Sequence, residues 1–180
     1  MFILIPLLLN LVISDASNSC NLNDLLNDKF DLNRYTGKWF EIARSRNFPM
    51  ENGECATAVY NINGKGNVDV INSEVLNGRL NTARAVGYRT DSSNMLLVNF
   101  GYSASGRYIV VDTDYSNYSV VYSCGEYMTH KFEYVWILSR HRALDDNILS
   151  KLLLLIKNKF NISENDLHFT NQNESLCKLN

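Results

Sequence analysis

The sequence predicts an all-β protein: an eight-stranded antiparallel up-and-down β-barrel with one C-terminal α-helix packed outside. Three observations carry this. Eight short runs of strand composition follow one another at near-regular spacing. Tight turn sequences join them, and no helical segment lies between any two, which excludes βαβ units. One amphipathic helical run comes after the last strand. A meander without a long crossover closes most easily on itself, because closure removes both edges. At eight strands the interior can hold one small ligand.

The first element is "MFILIPLLLNLVISDAS", an apolar run too short for a comfortable membrane span and followed by the small residues Ser14, Ala16 and Ser17. It reads as a secretory signal peptide over 1–17, cleaved between 16 and 19, although it carries no Lys or Arg. One domain, 18–180, is left. "SNS" precedes Cys20, so no lipid anchor is expected there. The chain to about Tyr35 reads as coil with a helical turn in "LNDLLNDKF".

The strands follow in order. "KWFEIARS" is the first. Alternation puts Glu41 on the same side as Trp39, and a buried carboxylate needs a partner. The sequence names none, and a place where the strand bends or twists outward is the reading left. "ATAVYNI" and "NVDVINSEV" flank Asn63-Gly64-Lys65-Gly66, a strong hairpin signal. Asn77-Gly78 leads into "RLNTARAVGYR", and a turn over Asp91–Asn94 leads into "MLLVNF". "RYIVVDTD", "YSVVYSC" and "FEYVWILSR" complete the set. The helix is "LDDNILSKLLLLIKNKF", with Asp145 or Asp146 as N-cap and lysines in its last turns. Ile148, Leu152, Leu155 and Ile156 form its apolar stripe, and Leu153 and Leu154 widen it. The helix is expected to lie against the barrel wall. The tail is polar and carries Cys177.

Composition narrows the function. Basic and acidic residues number 17 and 19, and loss of Asp15 with the signal moves the formal charge from −2 to about −1. That leaves no basic field for nucleic acid. Four cysteines in a secreted chain imply two disulfides, with three pairings open. No C-x-x-C spacing supports zinc, and no metal or cofactor is expected. N-x-S/T sequons make Asn117, Asn161 and Asn173 candidate glycan sites. His130, His141 and His168 are widely separated and none adjoins a plausible nucleophile, so no catalytic residue is assigned.

Three motifs in order then resemble the lipocalin family. "GKWFEIAR" resembles its G-x-W signature, "DTDYSNYSVVYSC" its T-D-x-x-Y signature, and "WILSR" its arginine at the end of the last barrel strand. "ENGECATAVYNINGKGNVDVINSE" and "YSC" bring the chain nearest the apolipoprotein D, Lazarillo and bilin-binding group. The resemblance implies structural roles for Gly37, Trp39, Thr113, Asp114, Tyr118 and Arg140. Trp39 would plug the closed end with Arg140 across its indole, a contact worth about 1–2 kcal/mol. It also implies the pairs Cys20–Cys124 and Cys55–Cys177, each closing a loop worth about 4–5 kcal/mol.

Alternation leaves the inward parity of the third strand open. The resemblance favours Val68, Val70, Asn72 and Glu74 inward, with Asn72 and Glu74 towards the mouth. By the same match Ala58 and Tyr60 line the pocket from the second strand, and Tyr134 and Trp136, with Phe132, from the last. Phe100, Tyr108, Tyr118 and Tyr122 are further candidates. Such an aromatic cup suits a hydrophobic ligand with one hydrogen-bonding end. The resemblance implies sterols, fatty acids, retinoids, carotenoids or bilin pigments, with roles in lipid handling and protection from oxidative damage. A prostaglandin-synthase-like member would need a free pocket thiol, and a haem-binding one a histidine on a mouth loop. The expectation is a secreted carrier, a monomer or weak homo-oligomer. The second reading is an extracellular interaction protein with a largely filled barrel. Its loops "NFPMENG" and "FGYSASG" would meet a cell-surface receptor or a lipoprotein or membrane surface.

Overall fold

The computed structural model describes residues 20–101, 105–128 and 130–178. The apolar N-terminal run, with its expected cleavage at 16–19, lies outside the described residues. The expected strands all form: β1 (Gly37–Ser45), β2 (Glu54–Ile62), β3 (Val68–Leu76), β4 (Arg79–Arg89), β5 (Met95–Asn99), β6 (Gly106–Thr113), β7 (Tyr118–Tyr127) and β8 (His130–Ser139). Each pairs antiparallel with the next, and β8 returns to β1, so the sheet is a closed barrel. Several short elements go beyond the sequence reading, among them helical turns in the tail at Glu164–Asp166 and Glu174–Cys177. Leu32–Tyr35 forms a helical turn, α1, capped by the Asp31 side chain, where coil was expected. In the tail, Leu167–Phe169 forms a short strand, β9, beside β1.

The helix forms as α2, Asp146–Phe160. Asp145 is the N-cap and accepts from the backbone N–H groups of Asn147 and Ile148. Lys157 and Lys159 sit in the last turn, and Asn161 ends it in the left-handed conformation. Leu152 and Ile156 are buried against Ala43, Val120, Val135 and Ile137 on the outer wall. Leu153 packs beside them, but Leu154 is 59% exposed and does not widen the stripe. At 100° per residue it falls on the far side of the helix.

The closed end is built around Trp39, which is fully buried. The Arg140 guanidinium lies 3.7 Å from its ring centroid. Arg140 also donates to the carbonyls of Arg34, Tyr35, Thr36, Lys38 and Tyr115. Gly37 adopts φ +96°, where a side chain would be strained and its Cβ would come to 3.5 Å of Arg140 Nη1. The Asp114 carboxylate accepts from the N–H groups of Ser116, Asn117 and Tyr118. Thr113 Oγ1 donates to the Tyr118 carbonyl. Together they fix the β6–β7 turn beneath the plug. The disulfides are Cys20–Cys124 and Cys55–Cys177.

Substituting Arg140→Ala is expected to cost about 3 kcal/mol, because a stacked, multiply bonded guanidinium disappears at once. Arg140→Lys should recover little of this, since a point charge cannot span five carbonyls. Urea unfolding of both variants checks it.

Candidate functional site

The interior is a cavity of about 1090 Å³ that opens between the β1–β2, β3–β4, β5–β6 and β7–β8 connections. Ala58, Tyr60, Val70, Asn72, Glu74, Phe100, Tyr108, Phe132, Tyr134 and Trp136 all line it. The inward parity of β3 is therefore Val68, Val70, Asn72 and Glu74. Tyr118 does not line the cavity. On β7 it is Ser119 and Val121 that face inward, against Tyr35 and the central core. Alternation turns Tyr118 outward, where it packs under α2 and donates to Asp112 Oδ2 at 3.2 Å. Tyr122, also outward, stacks on Phe160 at 4.2 Å.

Four residues that were not among the expected pocket residues also shape the cavity. The first is Glu41. It is 4% exposed and accepts from Arg44 Nη1 at 2.6 Å and from Thr170 Oγ1. The pairing of β1 with β8 shifts register between Glu41 and Ala43, so the strand is irregular there, but Glu41 stays inward and buried rather than twisting outward. The shift carries Ala43 to the α2 side and leaves Arg44 free to turn back to Glu41. Arg44 also donates to the carbonyl of Gly53 at 3.2 Å.

The others are Phe48, Met50 and Glu51, on the connection 46–53 that folds over the mouth. Phe48 meets Tyr134 and Trp136 edge-on, with centroids 4.9 and 5.0 Å away. Glu51 accepts from Trp136 Nε1 at 2.9 Å and from Asn72 Nδ2 at 3.4 Å. Glu74 ties the same connection down: its Oε2 accepts from the N–H groups of Asn52 and Gly53 at 3.1 and 2.6 Å. Its Oε1 accepts from Asn81 Nδ2. Both oxygens of Glu74 thus serve the wall rather than an occupant. A Cβ at Gly53 would stand 2.7 Å from the Val75 carbonyl, so only glycine fits there. Phe48 and Met50 carry a signal in hindsight, since they are large apolar residues in a turn-rich loop. Glu51 carries none.

Burial, and then the charge of Glu41, push the Glu51 carboxyl up to about 8. The Trp136 donor and Arg44 act the other way. Glu51 is therefore largely protonated at neutral pH. The wall at this level then holds one carboxylate, Glu41, balanced by one guanidinium, Arg44.

All four cysteines are paired, which leaves no pocket thiol. His168 lies on β9 with its Nε2 at 3.1 Å from Glu54, outside the cavity lining. Among the described residues no cluster of His, Cys, Asp and Glu could hold a metal ion. Asn117, Asn161 and Asn173 are all exposed.

The profile of the Lipocalin / cytosolic fatty-acid binding protein family matches residues 36–174. Apolipoprotein D of Bos taurus is 34% identical over 131 residues, 69% of this chain and 68% of that protein. The Lazarillo protein of Schistocerca americana is 32% identical over 167 residues, 88% and 77% of the two chains. Among solved structures, lobster apocrustacyanin A1 superposes with a TM-score of 0.70 at 26% identity, over 81% of each chain. Insecticyanin from Manduca sexta shares the fold, with a TM-score of 0.73 at 24% identity over 85% and 86% of the chains.

A carboxyl raised to about 8 stays protonated in the fold while the unfolded chain has already lost the proton. Stability should then fall as pH rises from about 4.5 to about 8 and level off above. Glu51→Gln should flatten that slope. Thermal unfolding of both proteins across this range checks the sign.

Proposed function

The chain belongs to the lipocalin family, and on that premise we propose that it is a secreted carrier of one small hydrophobic molecule held in the barrel. The observation that carries the proposal is the cavity of about 1090 Å³, walled by aromatic and aliphatic side chains with a few polar groups at mid-depth. That volume suits burial of a whole small ligand. The apolar lining of Ala58, Val70, Phe100, Tyr134 and Trp136 supplies the driving force, at about 25 cal/mol per Å² buried. Sterol, fatty acid, retinoid, carotenoid and bilin skeletons are the classes considered. Likeness to apolipoprotein D and to apocrustacyanin supports them.

Secretion is supported by two long-range disulfides, which persist only where the surroundings are oxidising. The exposed Asn117, Asn161 and Asn173 are proposed as glycan sites. The reading as an interaction protein required a largely filled barrel, and a cavity of this volume weighs against it. Catalysis draws no support from the site, where no histidine stands beside a nucleophile.

Native mass spectrometry of the protein secreted from a eukaryotic host is the test. A stoichiometric hydrophobic passenger is expected, and its extraction names the class. Ala58 sits opposite Asn72 and Trp39 in the wall. Ala58→Trp should fill the space and weaken binding at least about tenfold, read by tryptophan quenching. An empty wild-type barrel that no lipid, sterol or bilin quenches would refute the carrier.

A further inference from the structure

The deep end of the cavity holds a chain of four hydroxyls. Ser119 Oγ lies 3.0 Å from the Tyr35 hydroxyl, which lies 2.7 Å from that of Tyr108. Tyr108 donates to the Tyr60 hydroxyl at 2.8 Å. Each hydroxyl has one proton to give. That of Tyr108 is committed to Tyr60, so Tyr35 donates to Tyr108 and Ser119 donates to Tyr35. The chain therefore runs one way, from β7 to the cavity floor. Tyr60 is 3% exposed and lines the cavity. Its own hydrogen has no acceptor among the described residues. Donors in series polarise one another, so the last one is the strongest. Burial keeps all three phenols neutral, raising Tyr35 to about 12 and the other two well above their ordinary value.

We infer that the cavity takes a neutral hydrophobic ligand that enters oxygen first, its carbonyl accepting the Tyr60 hydroxyl at the floor. A buried donor left unfilled is costly, and a carbonyl tip would satisfy it. An anionic tip has no counter-charge here. The acidic side chains lining the cavity from its inner face are Glu41, Glu51 and Glu74, and none of them offers an anion a counter-charge. Arg44 is held by Glu41, and Arg140 lies beneath the Trp39 plug with its donors taken. Arg84 and Arg107 border the cavity, but they pair with Ile71 and Leu97 on the outward parity. The inference rests on the carrier reading and narrows it to ketones, esters and similar carbonyl compounds, at the expense of free fatty acids.

Three probes of equal chain length test it: methyl undecyl ketone, n-tridecane and tridecanoate, titrated against tryptophan fluorescence at neutral pH. The ketone should bind about tenfold tighter than either of the others, as one desolvated hydrogen bond provides. Tyr60→Phe keeps the ring and should remove the ketone's advantage over the hydrocarbon measured on the same variant. Tyr108→Phe breaks the chain one step back and should lower the ketone preference by a smaller factor. The infrared band of an isotopically labelled ketone carbonyl should move to lower frequency on binding wild type and not on binding Tyr60→Phe. Equal affinity for ketone and hydrocarbon overturns the inference, as does tightest binding of tridecanoate or a ketone preference that survives Tyr60→Phe. Those outcomes leave the carrier standing. Failure of all three probes to bind overturns the carrier and this inference together.

Discussion

The barrel depends on a carboxylate placed where its wall is incomplete. β1 and β2 pair only over Gly37–Phe40, and beyond Glu41 the ladder between them ends. The tail fills the place that pairing leaves. β9 runs beside β1, the Thr170 N–H donates to the Ile42 carbonyl, and the Cys55 N–H donates to that of Asn171. Gln172 Nε2 spans the seam, donating to the carbonyls of Glu41 and Ala56. Glu41, Arg44 and Thr170 form a buried cluster at the centre of this closure. An ion pair at this depth gains little over an apolar substitute. Removing one member, however, strands a charge and costs about 3–5 kcal/mol. The cluster therefore works as a register device. It admits one placement of the tail, which Cys55–Cys177 then locks.

The cavity wall follows from that closure. The connection 46–53 begins at the end of β1 and must cross to β2 over the seam. Arg44 holds its far end through the Gly53 carbonyl, and Glu74 holds the N–H groups of Asn52 and Gly53. With both anchors set, the loop can only lay Phe48, Met50 and Glu51 over the opening. Glu51 comes to lie against Glu41, and burial together with that charge keeps its proton on. The mid-depth polarity of the pocket is thus a consequence of how the barrel is closed.

These relations explain what the sequence could disclose. Alternation and turn chemistry are local, so the eight strands, Asn63-Gly64 and the capped helix were all legible. The Trp39–Arg140 stack was legible only through the resemblance, because its partners stand far apart in the chain. Parity on β3 was ambiguous by hydrophobicity, and matching the family resolved it. On β7, Tyr118 and Tyr122 were offered as pocket candidates without a family match, and both turn outward. Both faces of that strand are apolar, one towards the cavity and one towards α2, so neither composition nor alternation marks the inside. Glu41 could be seen as a problem and not solved. Its nearer partner, Arg44, reaches it only through the register shift, and its other partner is separated by 129 residues.

The two ends of the cavity differ in how firmly they are held, and Tyr35 is the reason. Its carbonyl accepts from Trp39 Nε1 at 2.9 Å and from Arg140 at 3.2 Å. Its ring packs on Trp39 and Tyr60, with centroids 5.0 and 5.5 Å away. Its hydroxyl sits within the chain that ends at Tyr60. One fully buried residue therefore joins the plug, the arginine clamp and the floor. Tyr60 cannot turn its hydroxyl without disturbing an assembly that carries most of the closed end. Among the described residues the mouth has no equivalent. It is made of hairpin connections and of one loop tethered at its base, with Met50 half in solvent at 53% exposure. A ligand meets fixed geometry at its inner tip and adjustable contacts at its outer end. Selectivity that depends on distance and angle, as a hydrogen bond does, must then be exercised at the floor. Tolerance for different lengths and shapes belongs to the rim.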